Sequence, residues 1–356
     1  MSPVTQHDKL KFIELVKDPA KAMDLSHSRV LVTGATGFIG GRLAERLILQ
    51  KHARVRALVR NPNRADRLKS QGVEVVEGDV TDPESIQQAV NDCEVVFHCA
   101  ALIHDATATQ EGFRRVNVEG TRKMLEAAAI ASVARFIHLS SIGVYGVNPL
   151  RGTRETDPHQ SSGDPYCDSK IEAEQVVLDI ADETQLPVVI IRPANVYGPR
   201  SSFWTVALID MIKTGHLRLI DGGSGMSNHV YIDNLVDGIV LAAQSERAPG
   251  EAFIISDGIN TTWKEFLGYY TQMLGIAPLS SISKSRAWVT GLLQEGASRL
   301  TGKPPSLSRR AVAYWTQSGT YSITKARTTL SYAPLISLDE GMTRTEAWLR
   351  ETGHLN

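Results

Sequence analysis

Tyr166 and Lys170 stand four residues apart in the segment DPYCDSK (164–170). Side chains at positions i and i+4 share one face of a helix, with Cβ atoms roughly 5–6 Å apart. An ammonium at that distance favours the phenolate, since the Coulomb energy is roughly 4 kcal/mol at 4 Å for an effective dielectric of about 20. The spacing therefore suits a tyrosine that acts as a general acid or base. Taken alone, an ordinary surface helix explains the pair better, so the rest of the chain has to decide.

The composition is that of an ordinary globular protein. Of the 356 residues, 42% are hydrophobic and 22% are charged, as is typical of soluble domains. The 38 lysines and arginines nearly balance the 39 aspartates and glutamates, so no global field attracts nucleic acid or an anionic membrane. No apolar run approaches the roughly 18 residues of a membrane-spanning helix.

Cysteine usage and the amino terminus predict a cytoplasmic protein. The three cysteines include no CxxC pair, which argues against a disulfide framework or a zinc site and favours a reducing compartment. Histidines do not recur at metal-ligand spacing, so no metal is expected. Residues 1–27 lack the apolar core of a signal peptide and are interpreted as a short amphipathic arm.

Strand-like and helix-like segments alternate from residue 29 onward. Apolar runs such as RVLVTG, RVRALVR (54–60) and EVVFHCAA (94–101) are separated by segments with helical apolar spacing, such as GRLAERLILQK. Buried β-branched strands that alternate with amphipathic helices indicate βαβ units. The pattern predicts a parallel sheet covered by helices on both faces.

Three glycines lie where the first strand meets the first helix, in VTGATGFIG. Gly34 permits a tight turn, Gly37 lets the backbone approach a pyrophosphate, and Gly40 allows close packing of helix on strand. The helix amino terminus then offers free N–H groups and a positive dipole end. The GxxGxxG spacing in this context predicts dinucleotide binding. The other residues of the predicted phosphate turn are Thr36, Phe38 and Ile39.

Arg60, at the tip of the second strand, favours NADP(H), with NAD(H) as the alternative. An NAD site usually has an acidic residue there, whereas an arginine accommodates the 2′-phosphate. Arg64 and Arg67 are better explained as solubilising charges. In GDVTD, the Asp79 carboxylate and the Val80 backbone are placed to meet an adenine amino group.

The ordered motifs resemble the extended short-chain dehydrogenase/reductase superfamily. They are TGATGFIG, GDVTD, FHCAA, VNVEGT, LSSIGVYG, YCDSK and RPANVYGPR, and the resemblance runs from about residue 29 to the end. VRALVRNP and the tail YSITKARTTLSYAPLISLDEGMTRTEAWL are most similar to the 3β-hydroxysteroid dehydrogenase and dihydroflavonol-reductase branch. The order of the motifs is more specific than any one of them.

The resemblance implies a role for each matching residue. Tyr166 would be the acid or base, and Lys170 its activator and the ligand of the nicotinamide ribose. Ser141 would hydrogen-bond the substrate oxygen, and Asn117 would lie where the superfamily often holds a water near the lysine. Further residues that would line or close over the cofactor are Ala100, Ala101, Pro193 and Val196. With the whole set present, the Tyr–Lys pair is interpreted as catalytic.

The expected architecture is a Rossmann-type, doubly wound α/β fold with seven mainly parallel strands. The cofactor domain is predicted at 28–195, with a returning strand near 228–256, and 196–356 largely forms a small α/β substrate-binding domain. Helices around 112–131 and 165–184 carry more apolar residues than one sheet face needs. By likeness to the superfamily, they predict a homodimer through a four-helix interface.

The same core also occurs in nucleotide-sugar epimerases and dehydratases. Sugar-nucleotide enzymes commonly have an Arg-Asp pair where this chain has Ser227 and Asn228, and many epimerases have an aromatic residue at the position of Pro193. Dehydratases need an acid pair beside the serine, but Ile142 and Gly143 follow Ser141. These departures disfavour the epimerase or dehydratase alternative. A non-catalytic NADP-sensing scaffold is disfavoured as well, because such proteins commonly lack the tyrosine or the lysine.

An apolar stripe in residues 286–300 bears on the substrate. The segment is RAWVTGLLQEGASRL, interrupted by Glu295 and Arg299, and both an ordinary core helix and a lid or weak peripheral membrane contact explain it. The predicted substrate is a hydrophobic or aromatic ketone or secondary alcohol, of steroid-, flavonoid- or polyketide-like type.

Overall fold

A parallel sheet of seven strands forms the centre of the structure, a computed structural model that describes residues 22–103, 108–302 and 305–355. The described residues contain, in chain order, the strands β1 (Arg29–Thr33), β2 (Arg54–Val59), β3 (Glu74–Glu77), β4 (Val95–His98), β5 (Arg135–Leu139), β6 (Val188–Pro193), β7 (Asn195–Tyr197), β8 (Leu219–Ile220), β9 (His229–Tyr231), β10 (Ala252–Ile255) and β11 (Ser281–Ile282). The large sheet has the order β10-β6-β5-β4-β1-β2-β3, and each neighbouring pair is parallel. The predicted Rossmann-type fold is confirmed.

Helices cover both faces of this sheet. They are α1 (Phe38–Lys51), α2 (Asp66–Ser70), α3 (Pro83–Val90), α4 (Gln110–Arg114), α5 (Gly120–Ile130), α6 (Pro165–Thr184), α7 (Leu208–Lys213), α8 (Ile232–Gln244), α9 (Trp263–Met273), α10 (Lys284–Thr301), α11 (Arg309–Thr316), α12 (Thr324–Leu330) and α13 (Leu338–Glu351). A π-helical turn, Arg115–Glu119, joins α4 to α5. In the part of the chain that the structure describes, no helix is both long and apolar enough to cross a bilayer.

Alternate side chains of the central strands bury the two faces of the sheet separately. In β1, Val30 and Val32 belong to one hydrophobic cluster, whereas Leu31 belongs to the other. Successive side chains of a strand point to opposite faces, so a strand covered on both sides reads as a continuous apolar run.

The predicted return of the chain near 228–256 consists of two strands separated by α8. β9 pairs with β7 in a separate two-stranded sheet, and β10 joins the large sheet beside β6. A third small sheet pairs β8 with β11. The division into a cofactor domain and a substrate domain stays a prediction, because the later strands contribute to both parts.

Most of the predicted arm lies outside the described residues, which begin at 22. The segment that follows is packed on the domain: the Met23 N–H donates to the Gln244 carbonyl at 2.8 Å, and Leu25 is buried in the main core.

The apolar faces of α5 and α6 pack against other parts of the same chain. Buried side chains on the two helices include Met124, Leu125, Val177 and Ile180, and they belong to one hydrophobic cluster. Of the large apolar side chains on α5 and α6, Ile130 is strongly exposed. Packing against the sheet and against each other therefore accounts for the apolar excess on which the homodimer prediction rested, and the homodimer stays a prediction.

Candidate active site

The amino terminus of α6 positions Tyr166 and Lys170. Asp164 caps the helix, and its carboxylate accepts hydrogen bonds from the N–H groups of Tyr166 and Cys167, both at 3.1 Å. Pro165 occupies the first helical position, where its missing N–H is not needed. The cap sets the helix register, so Tyr166 and Lys170 lie on one face of consecutive turns.

Ser141 reaches the Tyr166 phenol through the turn that follows β5. Its hydroxyl accepts the Gly143 N–H at 3.0 Å and thereby caps the 3-10 helix Ile142–Tyr145. A Cβ at Gly143 would lie 2.7 Å from the Cys167 sulfur, so a glycine lets this turn rest directly on α6. The Ser141 and Tyr166 side chains are hydrogen-bonded to each other. The structure thus brings the two predicted hydroxyls together.

The ammonium of Lys170 is buried at the end of β5. Its Nζ donates to the Leu139 carbonyl at the end of β5, at 2.7 Å. Burial raises the pKa of Tyr166 above its usual value, with further contributions from Cys167 and Asp164 and an opposing one from the Ser141 hydrogen bond. Burial is thus the larger effect on the phenol in this arrangement, because a phenol removed from water is harder to ionise. The activation of Tyr166 by Lys170 that the resemblance implies stays a prediction.

Burial also lowers the pKa of Lys170 to about 8. Its ammonium is present below that pH and lost above it, so steps that require the charge should weaken by about tenfold for each unit above pH 8. We expect kcat/KM and cofactor affinity to fall together above pH 8 in a profile from pH 6 to 10. A decline that begins only near pH 10, the ordinary range of a lysine, would contradict the assignment.

Asn117 links α6 to the segment that follows β4. It is buried in the π-helical turn, and its amide exchanges two hydrogen bonds with the backbone of Leu102, at 2.7 and 3.0 Å. Its Nδ2 also donates to the Ser169 hydroxyl at 2.9 Å. Asn117 therefore holds the helix of Tyr166 and Lys170 against this loop.

The glycine turn has the shape of a phosphate site. Gly34 has a positive φ of 69°, and a Cβ there would lie 2.9 Å from the Ala100 nitrogen, while a Cβ at Gly40 would lie 2.5 Å from the Gly34 carbonyl oxygen. α1 begins after Gly37 with no side-chain cap, and Thr36 and Gly37 are exposed. The first-turn amides, which include those of Phe38 and Ile39, therefore have no capping side chain and can meet an anion. These residues fit a dinucleotide pyrophosphate.

Arg60 and Asp79 flank the ends of neighbouring strands. Arg60 follows β2, is exposed, and forms no ion pair with another described residue. One Asp79 oxygen, Oδ1, accepts both the N–H and the hydroxyl of Thr81, each at 2.8 Å. Val80 is buried and packs on Gly120, where an added Cβ would touch it at 3.2 Å.

The other predicted cofactor residues lie at or just beyond the carboxyl ends of β4 and β6. The Ala100 N–H donates to the Thr33 hydroxyl at 3.1 Å, which ties this segment to the end of β1. Pro193 is the last residue of β6, Val196 lies in β7, and both are buried. Ala101 follows Ala100 and is half-buried. In parallel sheets, ligands bind outside these strand ends.

His98 is a structural residue of β4. Its Nδ1 lies 2.9 Å from the Thr33 hydroxyl and its Nε2 lies 3.1 Å from the Thr121 hydroxyl. Thr121 uses its own proton on the Asn117 carbonyl at 2.7 Å, so it accepts from His98 and assigns the Nε2–H tautomer. Burial lowers the pKa of His98 to about 3, and the ring is neutral at physiological pH. Metal-ligating side chains do not gather in groups of three or more within the described ranges.

Sequence reasoning missed a buried ion pair behind the site. Glu174 lies one turn after Lys170 on α6, and Arg192 lies in β6; both side chains are fully buried. Arg192 Nε and one terminal nitrogen donate to the two Glu174 oxygens at 2.9 and 2.6 Å. The Ser140 hydroxyl also donates to Glu174 at 2.5 Å. The available signal was the arginine inside the apolar run VVIIRP, because a charge in a buried strand requires a partner.

Comparison with known proteins identifies the family. Residues 30–256 match the NAD dependent epimerase/dehydratase family. The chain belongs to that family. Within it, the chain is an extended short-chain dehydrogenase/reductase of the 3β-hydroxysteroid dehydrogenase branch and an NAD(P)-dependent oxidoreductase. The predicted family is confirmed.

Relatives support this placement over nearly the whole chain. The 4-hydroxy-2-methyl-3-oxo-4-farnesyl-3,4-dihydroquinoline-1-oxide ketoreductase of Stigmatella aurantiaca is 32% identical over 323 residues, which cover 88% of this chain and 94% of the relative. The 3 beta-hydroxysteroid dehydrogenase/Delta 5-->4-isomerase of Mycobacterium tuberculosis is 32% identical over 332 residues, 88% of each chain. The crystal structure of gox2253 is 29% identical with a TM-score of 0.76 and covers 93% of this chain and 100% of that one.

Proposed function

We propose that this protein is an NADP(H)-dependent ketoreductase that acts on a hydrophobic or aromatic ketone. The observation that carries the proposal is the hydrogen-bonded pair of Ser141 and Tyr166 hydroxyls, held at the strand ends beside the glycine turn. Two hydroxyls in contact can donate to one carbonyl oxygen, which orients it for reaction.

Proton transfer by Tyr166 is the chemistry that the side chains supply. A bound nicotinamide would supply the hydride. As the carbonyl carbon is reduced, its oxygen gains an electron pair and takes the proton of the Tyr166 phenol, while Ser141 keeps its hydrogen bond to that oxygen. Because the pKa of Tyr166 is raised, the phenol is protonated at neutral pH and ready to donate.

The space next to the turn of Ser141 is small, and its size bears on how a large ketone could enter. A cavity of about 10 Å³ there, scarcely room for one water molecule, is lined by apolar and aromatic side chains and by three amides: Ile142, Val147, Tyr314, Tyr321, Asn195, Asn228 and Gln317. A ketone of steroid or polyketide size therefore requires a shift of α11, which carries Tyr314. Two relatives named for a farnesyl quinoline and a steroid support substrates of this class.

Residues 227 and 228 support a ketoreductase over a nucleotide-sugar epimerase. Ser227 is buried, and its hydroxyl lies 2.9 Å from His229 Nδ1 and donates to the Thr261 carbonyl at 3.0 Å. The Asn228 amide donates to the Gly319 carbonyl at 3.1 Å. The Ser227 hydroxyl is thereby occupied, and neither side chain carries the positive charge that an arginine would bring to a diphosphate.

A substrate panel tests the proposed activity. Purified protein with NADPH is assayed against steroid 3-ketones, aryl ketones and long-chain 3-oxo compounds, and against UDP-glucose and UDP-glucuronate. We expect ketone-dependent loss of NADPH absorbance with at least one apolar ketone. Epimerisation of a UDP-sugar without net cofactor oxidation would overturn the proposal.

Replacement of Arg60 by aspartate tests the cofactor preference. The change removes a phosphate partner and adds repulsion, so affinity for NADP(H) should fall by about ten- to hundredfold, or about 1.4–2.8 kcal/mol. Affinity for NAD(H) should stay constant or improve. Dissociation constants are measured by fluorescence titration, with Arg64→Asp as the control because Arg64 is exposed and carries the same charge change nearby. Tighter binding of NAD⁺ than of NADP⁺ by the unmodified protein would show that the NADP assignment is wrong.

A further inference from the structure

A second cavity, of about 260 Å³, lies beside α1 and is lined by α1, the loop after β7, the start of α8 and α13. None of the predicted catalytic residues lines it, and Phe38 is the one predicted cofactor residue that does. A cavity of about 150 Å³ is enough to hold benzene. This cavity therefore has room for a small ring with a polar substituent.

Three arginines from three different elements line this cavity. They are Arg42 on α1, Arg200 in the loop after β7 and Arg344 on α13. Their side chains are between 37% and 45% exposed. A ligand that enters from solvent can therefore reach all three guanidiniums.

The buried carboxylate of Glu45 is shared by three arginines. Its Oε2 accepts a hydrogen bond from Arg42 at 3.0 Å, and its Oε1 accepts one from Arg200 at 2.9 Å and also contacts Arg67. Burial lowers the pKa of Arg67, and the charges of Arg200 and Arg42 lower it further. The guanidiniums are thus close enough to repel one another around a single negative charge.

Asp233, the second buried carboxylate of the wall, is shared in the same way. Its Oδ1 accepts a hydrogen bond from Arg42 at 2.5 Å and lies 3.5 Å from Arg46, while its Oδ2 lies 3.6 Å from Arg344. All four oxygens of the two buried carboxylates therefore face arginines.

The arginine cluster has one positive charge in excess. Arg46 and Arg344 have carboxylate partners of their own, Asp237 and Glu340. The other three guanidiniums of the cluster share the two charges of the buried carboxylates. An anion in the cavity would compensate the remaining charge.

Hydrogen-bond donors remain available in the cavity wall. Arg42 Nη2 and the Nε and Nη2 of Arg200 have no partner among the described residues. The helix α8 begins in the same wall at Ile232, with no side-chain cap. Its amino terminus adds a partial positive charge that favours an anion.

We propose that this cavity binds an organic phosphate monoester. Guanidiniums that approach from two directions suit a tetrahedral group with three charged oxygens, whereas a single guanidinium fork satisfies a planar carboxylate. Phe38 and Trp348 line the same cavity and provide an apolar surface for the organic part of the ligand.

Calorimetric titration of the full chain with phenyl phosphate tests the site. The titration is made in excess NADP⁺ and NAD⁺, which occupy the predicted cofactor site, and is repeated without them. We expect saturable binding of phenyl phosphate under both conditions. Benzoate should bind about tenfold more weakly because it carries less charge, and inorganic phosphate about tenfold more weakly because it lacks the ring. Benzylamine, a cation of similar size, should not bind.

Arg200→Gln locates the binding. The change removes the excess charge and two free donor atoms, while Glu45 keeps its contacts with Arg42 and Arg67. We expect phenyl phosphate to bind about ten- to hundredfold more weakly, the usual effect of losing hydrogen bonds to a charged group. The matched control is Arg114→Gln, because Arg114 is 49% exposed and lies 2.9 Å from Glu172, much as Arg200 lies from Glu45. The control should bind like the unmodified protein.

Any of four results would overturn the proposal. They are no saturable binding to the unmodified protein, tighter binding of benzoate or benzylamine than of phenyl phosphate, displacement of phenyl phosphate by the dinucleotides, and equal effects of Arg200→Gln and Arg114→Gln. Circular dichroism checks the fold of both variants, and the ligand series on the unmodified protein decides if Arg200→Gln does not fold. The titration contains no ketone, so its outcome is independent of the proposed function.

Discussion

Replacement of Tyr166 by phenylalanine should lower kcat by roughly 10²–10⁴, the usual contribution of one positioned acid or base. The ring and its packing remain, and only the hydroxyl that contacts Ser141 is lost. Because the glycine turn and Arg60 hold most of the cofactor in the proposed site, the dissociation constant for NADPH should change by no more than a few-fold. Steady-state kinetics with the ketone found in the panel, together with cofactor titration, measures both quantities.

Variants at other positions show whether the loss of turnover is specific to the Tyr166 hydroxyl. Lys170→Ala should impair both cofactor binding and turnover, since its ammonium would serve the ribose and lies beside the catalytic end of α6. Ser141→Ala should mainly lower turnover. Tyr269→Phe removes a hydroxyl bound to Asp339, a residue of α13, and should leave both constants unchanged. If Tyr166→Phe retained full turnover, the Tyr–Lys pair would be an ordinary feature of a helix.

Loss of Arg192 should destabilise the protein by about 3–5 kcal/mol, the usual result of leaving one charge of a buried ion pair without its partner. Arg192→Met strips Glu174 of two direct hydrogen bonds and also removes the bonds from Arg192 to the Tyr145 hydroxyl and the Glu155 carbonyl, at 2.5 and 2.9 Å. Urea unfolding of the unmodified and variant proteins measures the difference. Arg29→Met is the control, because the Arg29–Asp92 pair is largely exposed at 3.5 Å and such pairs contribute about 0–1 kcal/mol.

The loss of stability in Arg192→Met should depend on pH. Burial by itself would raise the pKa of Glu174, but the Arg192 guanidinium outweighs burial and holds that pKa well below its usual range. A lowered pKa stabilises the folded state above the unfolded pKa of about 4.3, and this stabilisation is lost as the pH falls. Without Arg192, His159 still contacts Glu174 at 3.3 Å, but the effect of burial is opposed less strongly and Glu174 is protonated more easily. The deficit of Arg192→Met should therefore shrink as the pH is lowered from 7 to 4, and a deficit independent of pH would contradict this account.

The local features of this protein were readable in its sequence. Alternating apolar runs predicted the parallel sheet, and the predicted helix at 165–184 coincides with α6, Pro165–Thr184. The glycine turn was likewise recognised from spacing, since a positive φ at Gly34 and close contact at Gly40 are requirements of the local backbone. Such features depend on neighbours within a few residues, and periodicity and residue type record them directly.

Only the tertiary structure decided what each apolar or charged side chain faces. The sequence placed Lys170 one turn from Tyr166, but folding directs its ammonium to the Leu139 carbonyl, and burial raises rather than lowers the pKa of the phenol. Glu174 found its partner in Arg192, on a strand that begins after α6 has ended. The apolar stripe of α10 was visible, but not its outward orientation. Helical periodicity shows that a face exists, whereas the partner of that face comes from chain segments distant in sequence, and desolvation depends on how completely they close over it.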